Sequence, residues 1–273
     1  MDPLARIAAA LERLAGTGAG PPTDWLRAPA YLWTGDGAHE VPAIEAPTLD
    51  QLCGIDAQKQ AAAENTRRLA QGHAAHDMLL WGARGMGKSA LIRAAVRAAQ
   101  APDPVALALV QVATHALPTL PDLFAALRDC SDRRFLVFID DLGFAEGDEI
   151  GPRHLRSWLE GGVEARPAHV RLAVTANHRA ILQRQTQEQD DPLNPRDVVD
   201  DRLALADRFG LSLGFHTASQ DDYLAMVAAY ADPAGLTYTD ADALEWAKRR
   251  GARSGRVAHH YVTELAGRAG RAL

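Results

Sequence analysis

The stretch Leu79–Leu91, LLWGARGMGKSAL, decides how this sequence folds. Gly82-Ala83-Arg84-Gly85-Met86-Gly87-Lys88-Ser89 matches the pattern G-x-x-x-x-G-K-[ST]. The apolar run Asp77–Trp81 before it predicts a strand, and Lys88–Gln100 after it predicts a helix. Glycines let the backbone curl so that successive N–H groups point inward, forming an anion nest at a helix N-terminus. Gly82, Ala83, Arg84, Gly85, Met86, Gly87, Lys88, Ser89 and Ala90 are therefore the candidate phosphate-binding set. Lys88 is placed to reach the β and γ phosphates of a nucleotide, and Ser89 to ligate Mg²⁺. A chance glycine-rich turn is the plain alternative, and the strand–loop–helix setting argues against it.

A phosphate loop needs an acid to organise the metal. Phe135–Asp141 reads FLVFIDD, an apolar strand ending in two carboxylates. Asp140 fits the metal shell, and Asp141 would orient or deprotonate an attacking water. Glu146 and Glu149 are nearby fallback acids.

Outward from these motifs, strands and helices alternate. Val105–Val112, Val170–Ala176 and Leu211–Phe215 read as strands. Asp56–Gln71, Pro121–Asp129 and Pro152–Glu160 read as helices, and Thr48–Gln51 as a capping box. Continuous apolar strands separated by helices imply a parallel sheet covered on both faces. After Phe215 only helices follow, at Gln220–Ala231, Ala241–Arg250 and Arg256–Gly267, with capping boxes at Ser219/Asp222 and Thr239/Asp242. The expected division is an N-terminal helix and irregular arm or hairpin (1–47), an α/β core of five parallel strands (48–217) and a small helical lid (218–273). Residues 1–15 have helical spacing and 16–22 read as a linker.

Composition narrows the class. The chain has 273 residues, 47% hydrophobic and 23% charged, the balance of a globular protein. Its net charge of −6 does not draw it as a whole to nucleic acid or anionic lipid. Cys53 and Cys130 have no zinc-like spacing and suggest a reducing compartment. No signal-peptide pattern and no apolar run near the roughly 20 residues of a membrane span is visible, so a cytoplasmic protein is expected. Locally, residues 248–273 hold seven Lys/Arg against one acid, Glu264. A solvated helical tail is the favoured reading of that cluster, ahead of a nucleic-acid patch. The histidines form no recognisable metal set.

The order of these parts resembles an AAA+ ATPase over about residues 48–267, hence a P-loop NTPase fold. Leu52–Lys59, LCGIDAQK, is similar to the segment that holds adenine, with Gly54 and Ile55 at the base. The run VTAN ending at Asn177 resembles the sensor 1 strand, whose tip contacts the attacking water and γ-phosphate. Asp207-Arg208-Phe209 resembles the tract that supplies an arginine finger to the neighbouring subunit, with Arg202 as rival; either could instead pair with a local acid. Ser254-Gly255-Arg256 resembles the sensor 2 arginine of the lid, with Arg253 as substitute. More narrowly, LLWGARGMGKS, IDDLGF, LEGGVEARP, LADRFGL and RSGRVA look like the bacterial domain-of-unknown-function (815) ATP-binding family.

The resemblance implies ATP and Mg²⁺ as ligands, Lys88, Asp141, Asn177, Arg208 and Arg256 as catalytic residues, and Ser89 and Asp140 as metal ligands. It also implies a homo-oligomer, a ring or open ring, acting on a protein client. Two departures stand out. Asp141 stands where most AAA+ proteins have glutamate, one methylene longer, so turnover could be slow. Ala113–Leu123, ATHALPTLPDL, lacks an aromatic–hydrophobic–glycine pore loop, which counts against threading of polypeptide. Gln185–Asp201 carries six acids and one arginine, read either as a solvated loop or as an acidic surface for a basic partner. A helicase-loader-like ATPase, a nucleotide-gated scaffold and a P-loop kinase remain the competing functions.

Overall fold

A computed structural model of the chain describes residues 23–142, 166–177 and 208–273. The expected N-terminal helix and linker, the helix at 152–160, the acidic run 185–201, and Glu146, Glu149, Arg202 and Asp207 lie outside the described residues.

Strand β1 (Ala30–Trp33) and β2 (Ala38–Val41) form an antiparallel hairpin with Ala30 opposite Val41. Helix α1 (Asp56–Ala70) follows, then β3 (Met78–Gly82), α2 (Lys88–Gln100) and β4 (Leu107–Val112). A 3₁₀ turn (Thr114–Thr119) runs into α3 (Leu120–Arg128), with proline at its start, and then come β5 (Arg134–Ile139), β6 (Val170–Asn177) and β7 (Leu211–Phe215). The chain closes with α4 (Gln220–Ala231), α5 (Asp240–Arg250) and α6 (Gly255–Arg268).

The strands join one seven-stranded sheet in the order β2-β1-β4-β5-β6-β3-β7. Every pairing is parallel except β1–β2. The five strands read from the sequence are all present. The two extra ones come from the aromatic segment 30–41, whose β1 pairs with β4 so that Tyr31 lies beside Val110.

The period of two along each strand splits the core between the two faces. Met78 and Leu80 point to the face covered by α1, α2 and helices α4 to α6; Leu79 points to the other, against Phe135, Val137 and α3. One continuous apolar cluster runs from that first face into α4, α5 and α6 through Tyr223, Val227 and Val262.

Local signals set the helix starts. Ser219 caps α4 in a full capping box with Asp222, and Thr239 accepts from the Asp242 amide at the start of α5. The Thr48–Gln51 signal behaves differently. Gln51 Oε1 accepts from the Thr48 amide at 2.9 Å, yet the chain turns there and α1 begins only at Asp56. The same side-chain bond serves a turn as readily as a helix.

Candidate functional site

The parallel register brings three strand ends together. Gly82 on β3 lies beside Asn177 on β6, and Ile139 on β5 lies beside Val174, so the residues after Ile139 meet Thr175. In such sheets ligands bind beyond the carboxyl ends of the strands.

The loop between β3 and α2 turns on three glycines with positive φ: Gly82 at 121°, Gly85 at 76° and Gly87 at 87°. Only glycine adopts such angles without strain. Gly82 must also be bare, because the amide of the next residue, Ala83, donates to Phe215 O at 2.8 Å and a Cβ on Gly82 would stand 2.1 Å from that oxygen. Gly87 caps α2 without a side-chain bond, which leaves the first N–H groups of the helix open to an anion.

Lys88 is buried, and its Nζ donates to Gly82 O at 2.8 Å, Ala83 O at 2.9 Å and Asn177 Oδ1 at 3.4 Å. Burial pushes its pKa down, against the pull of Asp141 and Asp140. Ser89 Oγ donates to Asp140 Oδ1 at 2.5 Å. Asn177 Nδ2 donates to Asp141 Oδ1 at 2.5 Å. Thr175 Oγ1 donates to Asp140 Oδ1 at 2.7 Å and accepts from the Asp141 amide at 2.8 Å. Asp141 has φ +51°, the one positive φ outside glycine among the described residues.

These groups line a cleft of about 650 Å³ between the strand ends and helices α4 and α6. Ile55, Arg84, Gly85, Met86, Gly87, Lys88, Ser89, Ala90, Asp140, Asp141, Asn177 and Arg256 all face it. Gly54 is not among the lining residues, although its neighbours Cys53 and Ile55 are, while Gly82 and Ala83 contribute carbonyls to Lys88. The two arginines weighed for the lid separate: Arg256 lines this cleft and its amide donates to Gly85 O at 3.2 Å. Arg253 lines a different groove of about 590 Å³ with Arg84 and Lys248.

Arg208 is not among the residues lining the cleft of its own chain. It precedes β7, and the parallel β3–β7 register puts Leu211 beside Met78 and Phe215 beside Gly82. Arg208 thus lies near the opposite strand ends, beyond a strand length of roughly 13 Å. The segment 114–123 holds a 3₁₀ turn and the start of α3.

Several cleft residues escaped the sequence reading. Met226 and Tyr230, one turn apart on α4, and His259 on α6 close it from the lid side. Tyr230 and His259 meet edge to face at 5.3 Å between ring centroids. Their helical spacing was visible, but only docking of the lid shows which face meets the loop. Thr175 was quoted only as part of VTAN; its spacing of two from Asn177 puts both on one strand face.

For a metal, the donor set is a hydroxyl and a carboxylate, Ser89 and Asp140, already in contact. No cluster of three or more His, Cys, Asp or Glu side chains suited to a metal occurs among the described residues. Hard oxygen donors few in number suit Mg²⁺, which is commonly shared with substrate phosphates. No helix among the described residues is long and apolar enough to cross a membrane.

Comparison with known proteins places this geometry. The model of a family described as "Protein of unknown function (DUF815)" matches residues 26–269. No curated protein matches the chain. Among solved structures, a variant of Thermotoga maritima RuvB superposes with a TM-score of 0.52 at 19% identity, over 84% of this chain and 68% of that one. RuvB itself, described as a Holliday junction branch migration motor, gives 0.50 at 18% identity over 84% and 68%. Aeropyrum pernix ORC1 in complex with DNA gives 0.56 at 16% identity over 81% and 65%. These neighbours are AAA+ proteins, and the fold of this chain is that of an AAA+ P-loop NTPase.

Proposed function

We propose that this chain, which belongs to the DUF815 family, is an ATPase that binds ATP with Mg²⁺ in the cleft under its lid and hydrolyses it at a subunit interface to remodel a macromolecular partner. The observation that carries this reading is the unbroken hydrogen-bonded line at the cleft floor. It runs from Ser89 to Asp140, through Thr175 to Asp141, and through Asn177 to Lys88.

In this reading the bare α2 N-terminus and the glycine turn receive the phosphates. Lys88 exchanges its carbonyl partners for phosphate oxygens. Its depressed pKa reflects a buried cation that gains when an anion arrives. Ser89 and Asp140 would hold Mg²⁺, which neutralises phosphate charge when bound. Asp141 and Asn177 orient the water whose oxygen bonds to the γ-phosphorus in line; the bond from that phosphorus to the bridging oxygen breaks, ADP leaves with that oxygen, and the water proton passes to Asp141. Arg256 links the nucleotide to the lid, taken as residues 218–273. Arg208, remote from its own cleft, is assigned to the cleft of a neighbouring copy, so activity requires an oligomer.

Steady-state hydrolysis measured against protein concentration tests this. The rate per chain should rise as the chain self-associates, and Lys88→Ala should abolish it. Full activity in a strict monomer would remove the finger in trans; a rate no greater than that of Lys88→Ala would leave a nucleotide-gated scaffold. A phosphorylated product other than inorganic phosphate would favour a kinase. A second reading, action on nucleic acid, draws on the groove lined by Arg84, Lys248 and Arg253 and on the DNA bound to the ORC1 neighbour. Salt-dependent DNA binding lost on neutralising Arg249, Arg250 and Arg253 would support it.

A further inference from the structure

Thr175 serves both acids with one hydroxyl. It is buried at 1% exposure on β6, two residues before Asn177. A hydroxyl has one proton and two lone pairs. The Asp141 amide can only donate, so Oγ1 accepts there and spends its proton on Asp140. The Thr175 carbonyl accepts from the Leu142 amide at 2.8 Å. One residue therefore clasps the peptide groups on both sides of Asp141.

We propose that Thr175 is the positioning residue of this site, orienting Asp140 toward the cation and locking Asp141 in the left-handed backbone from which its carboxylate meets Asn177. The inference rests on the ATPase reading. A non-glycine residue holds such a conformation only where its surroundings impose it. Here the imposing contacts are the Thr175 hydroxyl on the Asp141 amide and the Asn177 amide on its carboxylate. Asp140 is treated likewise. Ser89 and Thr175 both donate to Oδ1, and no hydrogen bond from a described residue falls on Oδ2. The clasp also accounts for an aspartate at position 141. The backbone turn, rather than a longer side chain, brings the carboxylate to Asn177.

Thr175→Val keeps the shape and removes the hydroxyl; Thr175→Ser keeps the hydroxyl. The full chain is assayed for affinity of a fluorescent ATP analogue in EDTA and in Mg²⁺, for kcat and KM, and for its melting temperature. In EDTA the valine variant should bind within about twofold of wild type, while kcat and the Mg²⁺-dependent gain in affinity fall about 10- to 100-fold, the loss expected for one hydrogen bond to a charged group. The serine variant should recover both to within about threefold.

Wild-type kcat and Mg²⁺ response in Thr175→Val would overturn the proposal, as would a serine variant no better than valine. Thr175→Ala, which cannot over-fill the strand, is carried beside them; loss of cooperative melting in both it and the valine variant would assign Thr175 a purely structural role and overturn the proposal too. A wild-type chain showing neither hydrolysis nor any Mg²⁺ effect on nucleotide affinity would sink the ATPase reading itself, and this inference with it.

Discussion

The three glycines of the phosphate loop should not respond alike to alanine. At Gly82 the new Cβ would stand 2.1 Å from Phe215 O and 2.9 Å from Phe215 C and N, all backbone. The ends of β3 and β7 must part by about 0.9 Å before that contact reaches 3.0 Å. Parting them loses the Ala83–Phe215 hydrogen bond, worth about 1 kcal/mol. The φ of 121° adds about 1–3 kcal/mol for a residue with a side chain. Gly82→Ala should therefore cost about 2–4 kcal/mol.

Gly85→Ala meets Ser254 Oγ at 2.8 Å. That side chain can rotate, but doing so gives up its cap on the Val257 amide. With φ of 76° the expected cost is about 2–3 kcal/mol. Gly87→Ala meets Leu52 Cδ2 at 3.6 Å and Ile55 Cδ1 at 3.9 Å, both ordinary contacts. It should cost the backbone term alone, about 1–2 kcal/mol. At about 2–4 °C per kcal/mol, melting of the nucleotide-free protein in EDTA should drop by about 4–16 °C for Gly82→Ala and 2–8 °C for Gly87→Ala. A Gly87→Ala variant as unstable as Gly82→Ala, or a Gly82→Ala variant within about 2 °C of wild type, would refute the reasoning.

Arg133 is fully buried and donates to the carbonyls of Trp25, Ala28, Pro104 and Leu107, tying the segment before β1 to the core. Arg133→Met would strand three of them, since Leu107 O keeps Gln100, and should lower stability by about 3–5 kcal/mol in urea titrations. A change below about 0.5 kcal/mol would contradict this. Burial pushes the Tyr223 hydroxyl up to about 12, and it has no hydrogen-bond partner among the described residues. Its folded pKa exceeds the unfolded value, so stability is intact below pH 10 and falls as pH rises from 10 toward 12, by about 2–3 kcal/mol in all. Tyr223→Phe should abolish that decline without harm at neutral pH, which melts across the alkaline range would reveal. Arg256→Ala should weaken nucleotide binding about tenfold while Arg253→Ala changes it less than twofold; equal losses by titration calorimetry would count against the geometry.

Most of the architecture could be read locally. The three C-terminal helices and the five parallel strands announce themselves in apolar runs, caps and the glycine loop, because helix starts and buried strands are short-range features. The hairpin at 30–41 was harder. Its four-residue strands join the sheet by pairing β1 with β4, and the segment before them is held by Arg133 on the Trp25 and Ala28 carbonyls, 108 and 105 residues away along the chain. Nothing near Arg133 in sequence hints that its guanidinium has carbonyls for partners.

The site divides the same way. By itself the sequence marked Gly82–Ser89, Asp140, Asp141 and Asn177 as candidates, since a turn able to admit phosphates needs glycines and a lysine at set spacings. Only the tertiary structure decided which arginine of the lid faces the cleft, which residues of α4 and α6 close it, and that Thr175 joins Asp140 to Asp141. Those choices depend on parallel strand register and on how three helices dock. Both arise from side chains meeting across the fold, where neighbours in space are far apart along the chain.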